Sequence, residues 1–154
     1  MNVSIRLMTL EDVPTVHEID TLSFRLPWPE RSFCFELTEN PVSRCWVAES
    51  SGCIAAMLVL WLIVDEAHIA TIATHPDFRQ QGIGEQLMIA ALVSARNEGA
   101  ARAFLEVRAG NSGAMTLYEK HGFVVAGVRP RYYKDNNEDA ILMDLEDLNG
   151  LEAA

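Results

Sequence analysis

Cysteine is scarce in this chain. Cys34, Cys45 and Cys53 are odd in number, stand 11 and 8 residues apart, and match no zinc-ligand spacing. His17, His68, His75 and His121 are scattered, with none beside a cysteine pair, so no metal is expected. Basic residues are outnumbered, 12 Lys and Arg against 22 Asp and Glu, for a formal net charge of −10. Phosphate backbones want clustered cations, so nucleic acid is not expected as a direct partner. An acidic surface suits a cationic substrate, and an acidic coat that merely keeps the chain in solution gives the same count. Long apolar runs are missing too. The longest, Ile54 to Val64, has 11 residues, against the roughly 20 that span a bilayer; it reads as a buried strand, and no membrane partner is expected. The N-terminus has no basic region followed by an apolar stretch, so no signal peptide is expected and a cytoplasmic protein is the default. Repeats, linkers and low-complexity segments are absent. With 154 residues, 49% apolar and 22% charged, one globular domain with a substantial core is expected.

Two phosphate-binding signatures are also missing: the three-glycine GxGxxG and the GxxxxGK that precedes Ser or Thr. What stands instead is Arg79-x-x-Gly82-x-Gly84. Ahead of it, the β-branched run Ile69-Ala-Thr-Ile72 reads as a strand, broken by Pro76 and Asp77. Behind it, Ile83, Leu87, Ala91 and Met88, Leu92, Ala95 recur every four residues, the pattern of a helix. Strand, glycine loop and helix N-terminus aim free N–H groups and the positive end of the helix dipole at an anion. Taken alone, the pattern also fits an ordinary helix start with two turn glycines.

The rest of the chain alternates similar elements. Val3 to Leu7 reads as a strand, and Thr9-Leu-Glu-Asp12 as a capping box opening a helix with Val13, Val16 and Ile19 inward. Phe24-Arg-Leu-Pro-Trp-Pro-Glu30 interrupts it, and a second helix is expected from about Pro29 to Thr38. Trp28 on that loop reads as a staple over the core, as one wall of a substrate groove, or as both. Trp46 to Glu49 and Ile54 onward form a hairpin around Ser50-Ser-Gly52. Asp65-Glu66 turns into the strand Ala67 to Thr74. The long helix ends at Gly99, with Arg96 in its last turn. Ala103 to Val107 is the next strand, parallel to the one before the glycine loop. Asn111 caps a helix running to about His121, and Phe123 to Val128 and Ala140 to Leu145 are closing strands. The tail from Glu146 is expected to fray.

Two residues stand out chemically. Glu106 lies in a strand that a βαβ unit should cover on both faces, where a carboxylate must be paired, hydrogen-bonded or raised in pKa. A salt bridge with Arg108 on the same face accounts for it, and so does a general base near a strand end. Tyr118 lies two helical turns after Asn111, on nearly one stripe. A tyrosine in an amphipathic helix is usually a core residue, and taken alone Tyr118 reads as one.

Taken together, Arg79 to Gly84, Leu105-Glu-Val-Arg-Ala-Gly-Asn111, Leu117-Tyr-Glu-Lys-His-Gly-Phe123, Tyr132-Tyr-Lys and Glu138-Asp-Ala-Ile-Leu-Met143 resemble the GNAT superfamily of N-acetyltransferases. Within it they are most similar to the RimI subgroup, which acetylates ribosomal proteins at an N-terminal alanine. The likeness runs from about residue 3 to residue 145. It implies a single-domain α/β fold over residues 1–147, a mixed twisted sheet of six or seven strands flanked by about four helices, followed by a tail, residues 148–154. It also implies acetyl-CoA as co-substrate and a protein or peptide N-terminus as acceptor, such as that of a basic ribosomal protein. By this resemblance Ile72, Ala73 and Thr74 lie along the pantetheine arm, and Arg79, Gln80, Gln81, Gly82, Ile83, Gly84 and Glu85 form the pyrophosphate loop. Asn111 touches the cofactor, Glu106 is the base, Tyr118 the acid, and Tyr132 and Tyr133 sit at the peptide groove. Glu85 is an odd residue for a phosphate turn and must point outward or find a cation. Gly110 stands where the subgroup commonly has serine, a change expected to loosen its loop. An acetyltransferase for a small amine and a catalytically silent acyl-CoA-binding module are the competing readings.

Overall fold

The computed structural model describes residues 2–151. Its seven strands are β1 (Val3–Leu7), β2 (Ser43–Ser50), β3 (Cys53–Ile63), β4 (Glu66–Thr74), β5 (Arg102–Arg108), β6 (Val124–Tyr133) and β7 (Glu138–Leu145). They form one mixed sheet in the order β1-β2-β3-β4-β5-β7-β6. Neighbouring strands run antiparallel except β4 and β5, which are parallel. The helices are α1 (Val13–Ser23), α2 (Glu30–Thr38), α3 (Ile83–Asn97) and α4 (Ser112–Lys120). This is the single-domain α/β sandwich the motifs implied. Among the described residues no helix is long and apolar enough to cross a membrane.

The core lies on both faces of β3, which is why that strand carries no polar alternation. Ala56, Leu58 and Leu60 pack with α3, through Leu87, Met88 and Leu92. Met57 and Val59 pack on the other face with Val13, Val16 and Ile19 of α1 and Phe33 of α2. Each such side chain, fully withdrawn from water, contributes about 1.5–3 kcal/mol.

Local chemistry sets the ends of the elements. Asp12 accepts the Thr9 N–H at 2.8 Å, the carboxylate half of the capping box. Both halves of the box are present; the Thr9 hydroxyl also bonds to the same carboxylate, and Arg6 reaches both oxygens of Asp12. The first turn, Leu10–Asp12, is accordingly a tight 3-10 turn, and the α-helix proper begins at Val13. At the far end of α3, Gly99 takes φ +109°, the left-handed geometry that closes a helix.

Three expectations are corrected. Ala103, Leu105 and Val107 of β5 face the core, but the opposite face, carrying Phe104, Glu106 and Arg108, is only partly covered. Helices α1 and α2 sit over β2, β3 and β4 and leave that face open. The tail does not fray at Glu146. Leu148 is fully buried and Leu151 nearly so, and Arg96 Nη1 donates to the carbonyls of both, at 3.1 and 2.7 Å; the last three residues of the tail lie outside the described residues. Strand β6 is longer than its sequence pattern, running through Tyr132 and Tyr133.

The decisive distortion is in β4. Its register with β3 slips between Val59 and Leu60, leaving Ala70 without a partner. A bulge of this kind bends the strand that carries it. Pairing between β4 and β5 stops immediately before it, at His68 and Phe104. From there the two strands part, and a wedge opens between them.

Candidate active site

The wedge holds two clefts that meet. The first, of about 640 Å³, runs from the end of β4 over the glycine loop to the start of α4. Gln80 and Gly82 both take left-handed backbone angles, φ +62° and +77°, which curl the loop ahead of α3. The first bond within that helix is from the Gln86 N–H to the Gly82 carbonyl, at 3.1 Å. The N–H groups of the preceding turn are therefore free of intrahelical partners, and the helix dipole adds positive potential there. Gly84 is required sterically: a Cβ would stand 2.9 Å from Thr74 Oγ1, so glycine lets the helix start press against the end of β4. The cleft size suits a cofactor-scale ligand. Curled loop, free N–H groups and close approach together fit the diphosphate end of coenzyme A.

Side chains brace this loop more than they line it. Arg79 donates from Nε to the Thr74 carbonyl at 3.0 Å and from Nη2 to the Ser23 hydroxyl at 3.2 Å. Glu85 finds a cation and a ring nitrogen at the end of α4: Lys120 Nζ at 2.8 Å and His121 Nε2 at 2.6 Å. Those two bonds hold its carboxyl below the usual range. Among the loop residues, Gln81 does not line the cleft.

The second cleft, of about 270 Å³, is bounded by α1 and the Trp28 loop on one side and by β4, β5 and Tyr133 on the other. Phe24, Ile72, Asn111 and Tyr118 line both clefts and mark where they join. Asn111 caps α4, its Oδ1 accepting the Ala114 N–H at 3.2 Å. Tyr118 is buried on that helix, its ring against Phe123 at 5.9 Å. Burial pushes its phenol up to about 12, so the hydroxyl keeps its proton at any physiological pH.

Glu106 opens into the second cleft with about a third of its side chain exposed. Its ionic neighbour is Arg129 of β6, at 3.7 Å, and not Arg108. Arg108 bonds Asp135 and Glu138 of the β6–β7 hairpin, at 3.1 and 3.3 Å, and lies 4.0 Å over the Tyr133 ring. Burial, then the Glu106 carboxylate, hold the Tyr133 phenol above its ordinary value. Tyr132 is half exposed outside the cleft, edge-on to Tyr133 and under Arg129. Trp28 packs its ring 5.2 Å from Phe33 and also lines this cleft. The loop containing Gly110 is not loose. The Gly110 N–H donates to Glu138 Oε2 at 2.6 Å, and a Cβ would meet that same oxygen.

Residues 13–123 match the model of the acetyltransferase (GNAT) family. The chain belongs to that family and is an N-acetyltransferase. A Bacillus subtilis protein, provisionally named a ribosomal protein bS18-alanine N-acetyltransferase, is 41% identical over 140 residues, 91% of this chain and 93% of its own. The Escherichia coli ribosomal protein bS18-alanine N-acetyltransferase is 33% identical over 153 residues, 92% of this chain and 96% of its own. The crystal structure of the E. coli enzyme superposes with a TM-score of 0.86 over 94% of this chain and 93% of that one. A Bacillus anthracis family member, provisionally named a streptothricin acetyltransferase and solved with acetyl coenzyme A, gives 0.77 at 25% identity, covering 95% of this chain and 99% of that one.

Two features escaped the sequence reading. The bulge at Ala70 carries no local signature. Asp20 does: it is an acid four residues after Val16 and seven after Val13, on the stripe that packs inward.

Proposed function

We propose that this chain transfers the acetyl group of acetyl-CoA to the α-amino group of a protein N-terminus, that of a ribosomal protein beginning with Ala, Ser or Thr. One observation carries the reading: a backbone-built anion site and a carboxylate-bearing acceptor cleft meet at Tyr118 and Asn111. The names of the B. subtilis and E. coli relatives favour bS18 as the acceptor. The aromatic walls, Trp28 and Tyr133, suit an entering peptide.

Acetyl-CoA, when bound, supplies an acetyl thioester and a thiolate leaving group. Ile72, Ala73 and Thr74 offer the free edge of β4 to its arm, and the N–H groups from Gly82 to Glu85 receive its diphosphate. An α-amino group has a pKa of about 7.7–8.0 and arrives mostly protonated. Glu106, directly or through a water, takes that proton and frees the lone pair. A backbone N–H near Ala73 or Thr74 is the candidate donor that would meet the negative charge developing on the acetyl oxygen. The freed lone pair would attack the acetyl carbon and the C–S bond would break; Tyr118, kept protonated by burial, would give its proton to the departing sulfur and be restored by the second proton that the new amide nitrogen sheds.

The test is thiol release from acetyl-CoA with peptides starting with Ala, Ser, Thr or Met, beside small amines and lysine ε-amino peptides. Preference for Ala- or Ser-initiated peptides is the expected result. Turnover with small amines alone would keep the cofactor site and overturn the acceptor. No turnover alongside tight coenzyme A binding would favour a silent module.

A further inference from the structure

Asp20 is a buried carboxylate on the acceptor cleft that the reaction above does not use. It stands on the inward side of α1, 1% exposed, and lines the cleft together with Glu106. Its Oδ2 accepts the Trp28 N–H at 2.7 Å; Oδ1 has no hydrogen-bond partner among the described residues. No cation pairs with it there either. His17, one turn back, turns toward Glu30 of α2 at 3.9 Å, and Glu36 of α2 is engaged by Trp61, Asn40 and Ser43. From the other walls come Glu106 and Arg108 of β5, Tyr118 of α4 and Tyr133 of β6. Arg108 is held by Asp135 and Glu138, and the stretch of β4 facing the cleft, residues 69–72, carries no charge. Burial raises the pKa of the Asp20 carboxyl, and the Trp28 N–H and the nearby His17 offset this only in part. A carboxylate kept at such cost is suited to a cation brought in by the substrate.

We propose that Asp20 receives the acceptor's ammonium group. It binds the protonated amine through Oδ1 while tethering Trp28 through Oδ2, so the charge that captures the substrate also closes the wall around it. Asp20 makes and breaks no covalent bond. The proton passes from the ammonium to Glu106, and the lone pair left on nitrogen makes the attack. The inference rests on the functional reading only in requiring a primary amine as acceptor.

The test compares wild type with Asp20→Asn and Asp20→Ala, measuring KM and kcat from about pH 6 to about pH 9. The acceptors are an Ala-initiated peptide and a small primary amine. Asn keeps an oxygen for the Trp28 N–H and removes the charge. Asp20→Asn should raise acceptor KM about ten- to a hundredfold near pH 6, the range for losing a charge-assisted hydrogen bond. That ratio should fall toward one as the pH passes the amine's own pKa, about 7.7–8.0 for a peptide and correspondingly higher for a small amine. KM for acetyl-CoA should not move. An unchanged acceptor KM, or a rise that is constant across pH, overturns the proposal and leaves Asp20 as a tether for Trp28 alone. Should Asp20→Ala fail to fold, Asp20→Asn carries the comparison. If wild type accepts only the small amine, the protein-acceptor reading fails while the Asp20 test proceeds with that amine. If it accepts neither, calorimetric binding of the peptide to the coenzyme A-loaded protein replaces turnover. Weaker binding by Asp20→Asn at low pH supports the site, and equal binding overturns it.

Discussion

The two clefts that meet at Tyr118 are built from different material. On the cofactor side the ligand-facing surface is backbone: the edge of β4, a loop with two left-handed residues, and the start of α3. Side chains there, Arg79 and Glu85, act mainly as braces between elements. On the proposed acceptor side the surface is side chain, contributed by α1, the Trp28 loop, β4, β5, α4 and β6. A backbone site depends on a few residues having no Cβ or tolerating left-handed angles. A side-chain site depends on six segments converging, and each contact there can change separately. The first kind holds a constant ligand, and the second can be adapted to different acceptors.

The largest expected effect is at Glu106, the proposed base. Glu106→Gln preserves shape and removes proton acceptance, so kcat should fall by about 10²–10⁴, with KM for acetyl-CoA nearly unchanged. Steady-state kinetics at saturating acetyl-CoA would measure it. Wild-type kcat in the variant would remove Glu106 from the reaction.

Tyr118→Phe, on the seam between the clefts, should slow turnover by a smaller factor, because water can replace a proton donor more readily than a base can be replaced. It has a second consequence. The folded phenol ionises at about 12 against 10 in the unfolded chain, so between those values the native state holds a proton that the unfolded state has lost. Stability therefore falls as pH rises through this window. The variant should lose that alkaline component, measurable as a shallower loss of Tm between about pH 10 and 12.

On the backbone side the corresponding break is Gly84→Ala. The added Cβ at 2.9 Å from Thr74 Oγ1 forces α3 away from β4, at an overpacking cost of about 1–3 kcal/mol. KM for acetyl-CoA should rise about tenfold, while acceptor KM, set in the other cleft, should hold. Equal effects on both would mean that the clefts are not independent.

The same division explains what could be read from the residues. The glycine loop was legible because a left-handed backbone angle at 82 and the close approach to Thr74 at 84 restrict which residues can stand there. The apolar periods of α1, α3 and β3 were legible because burial on one or both faces imposes them. Tyr118 and Asn111 were placed correctly on one stripe because helical spacing fixes it. Glu106 was expected under cover and is open, because coverage depends on where α1 and α2 lie across the sheet, which no pattern in β5 encodes. Its pairing with Arg129 over Arg108 depends on β7 lying between β5 and β6, another long-range fact. The bulge at Ala70, which creates the wedge itself, lies within an unremarkable β-branched run. The docking of Leu148 and Leu151 turns on Arg96, whose position at a helix end pointed to the dipole alone.

Glu85 offers the mildest test and the most specific to the cofactor side. Its bonds to Lys120 and His121 tie the start of α3 to the end of α4, so it braces the backbone site against the helix that carries Tyr118. Surface pairs of this kind contribute about 0–1 kcal/mol. Because the carboxyl ionises below its usual range in the folded protein, its contribution is present at neutral pH and is lost as pH falls through the carboxylate range. Glu85→Gln should lower Tm by a few degrees at most at pH 7, with the gap to wild type narrowing toward pH 3 and in high salt. If the brace also aims the helix start, KM for acetyl-CoA should rise by a small factor. A variant that binds acetyl-CoA more tightly would instead mean that the negative charge acts on the ligand directly and outweighs the bracing.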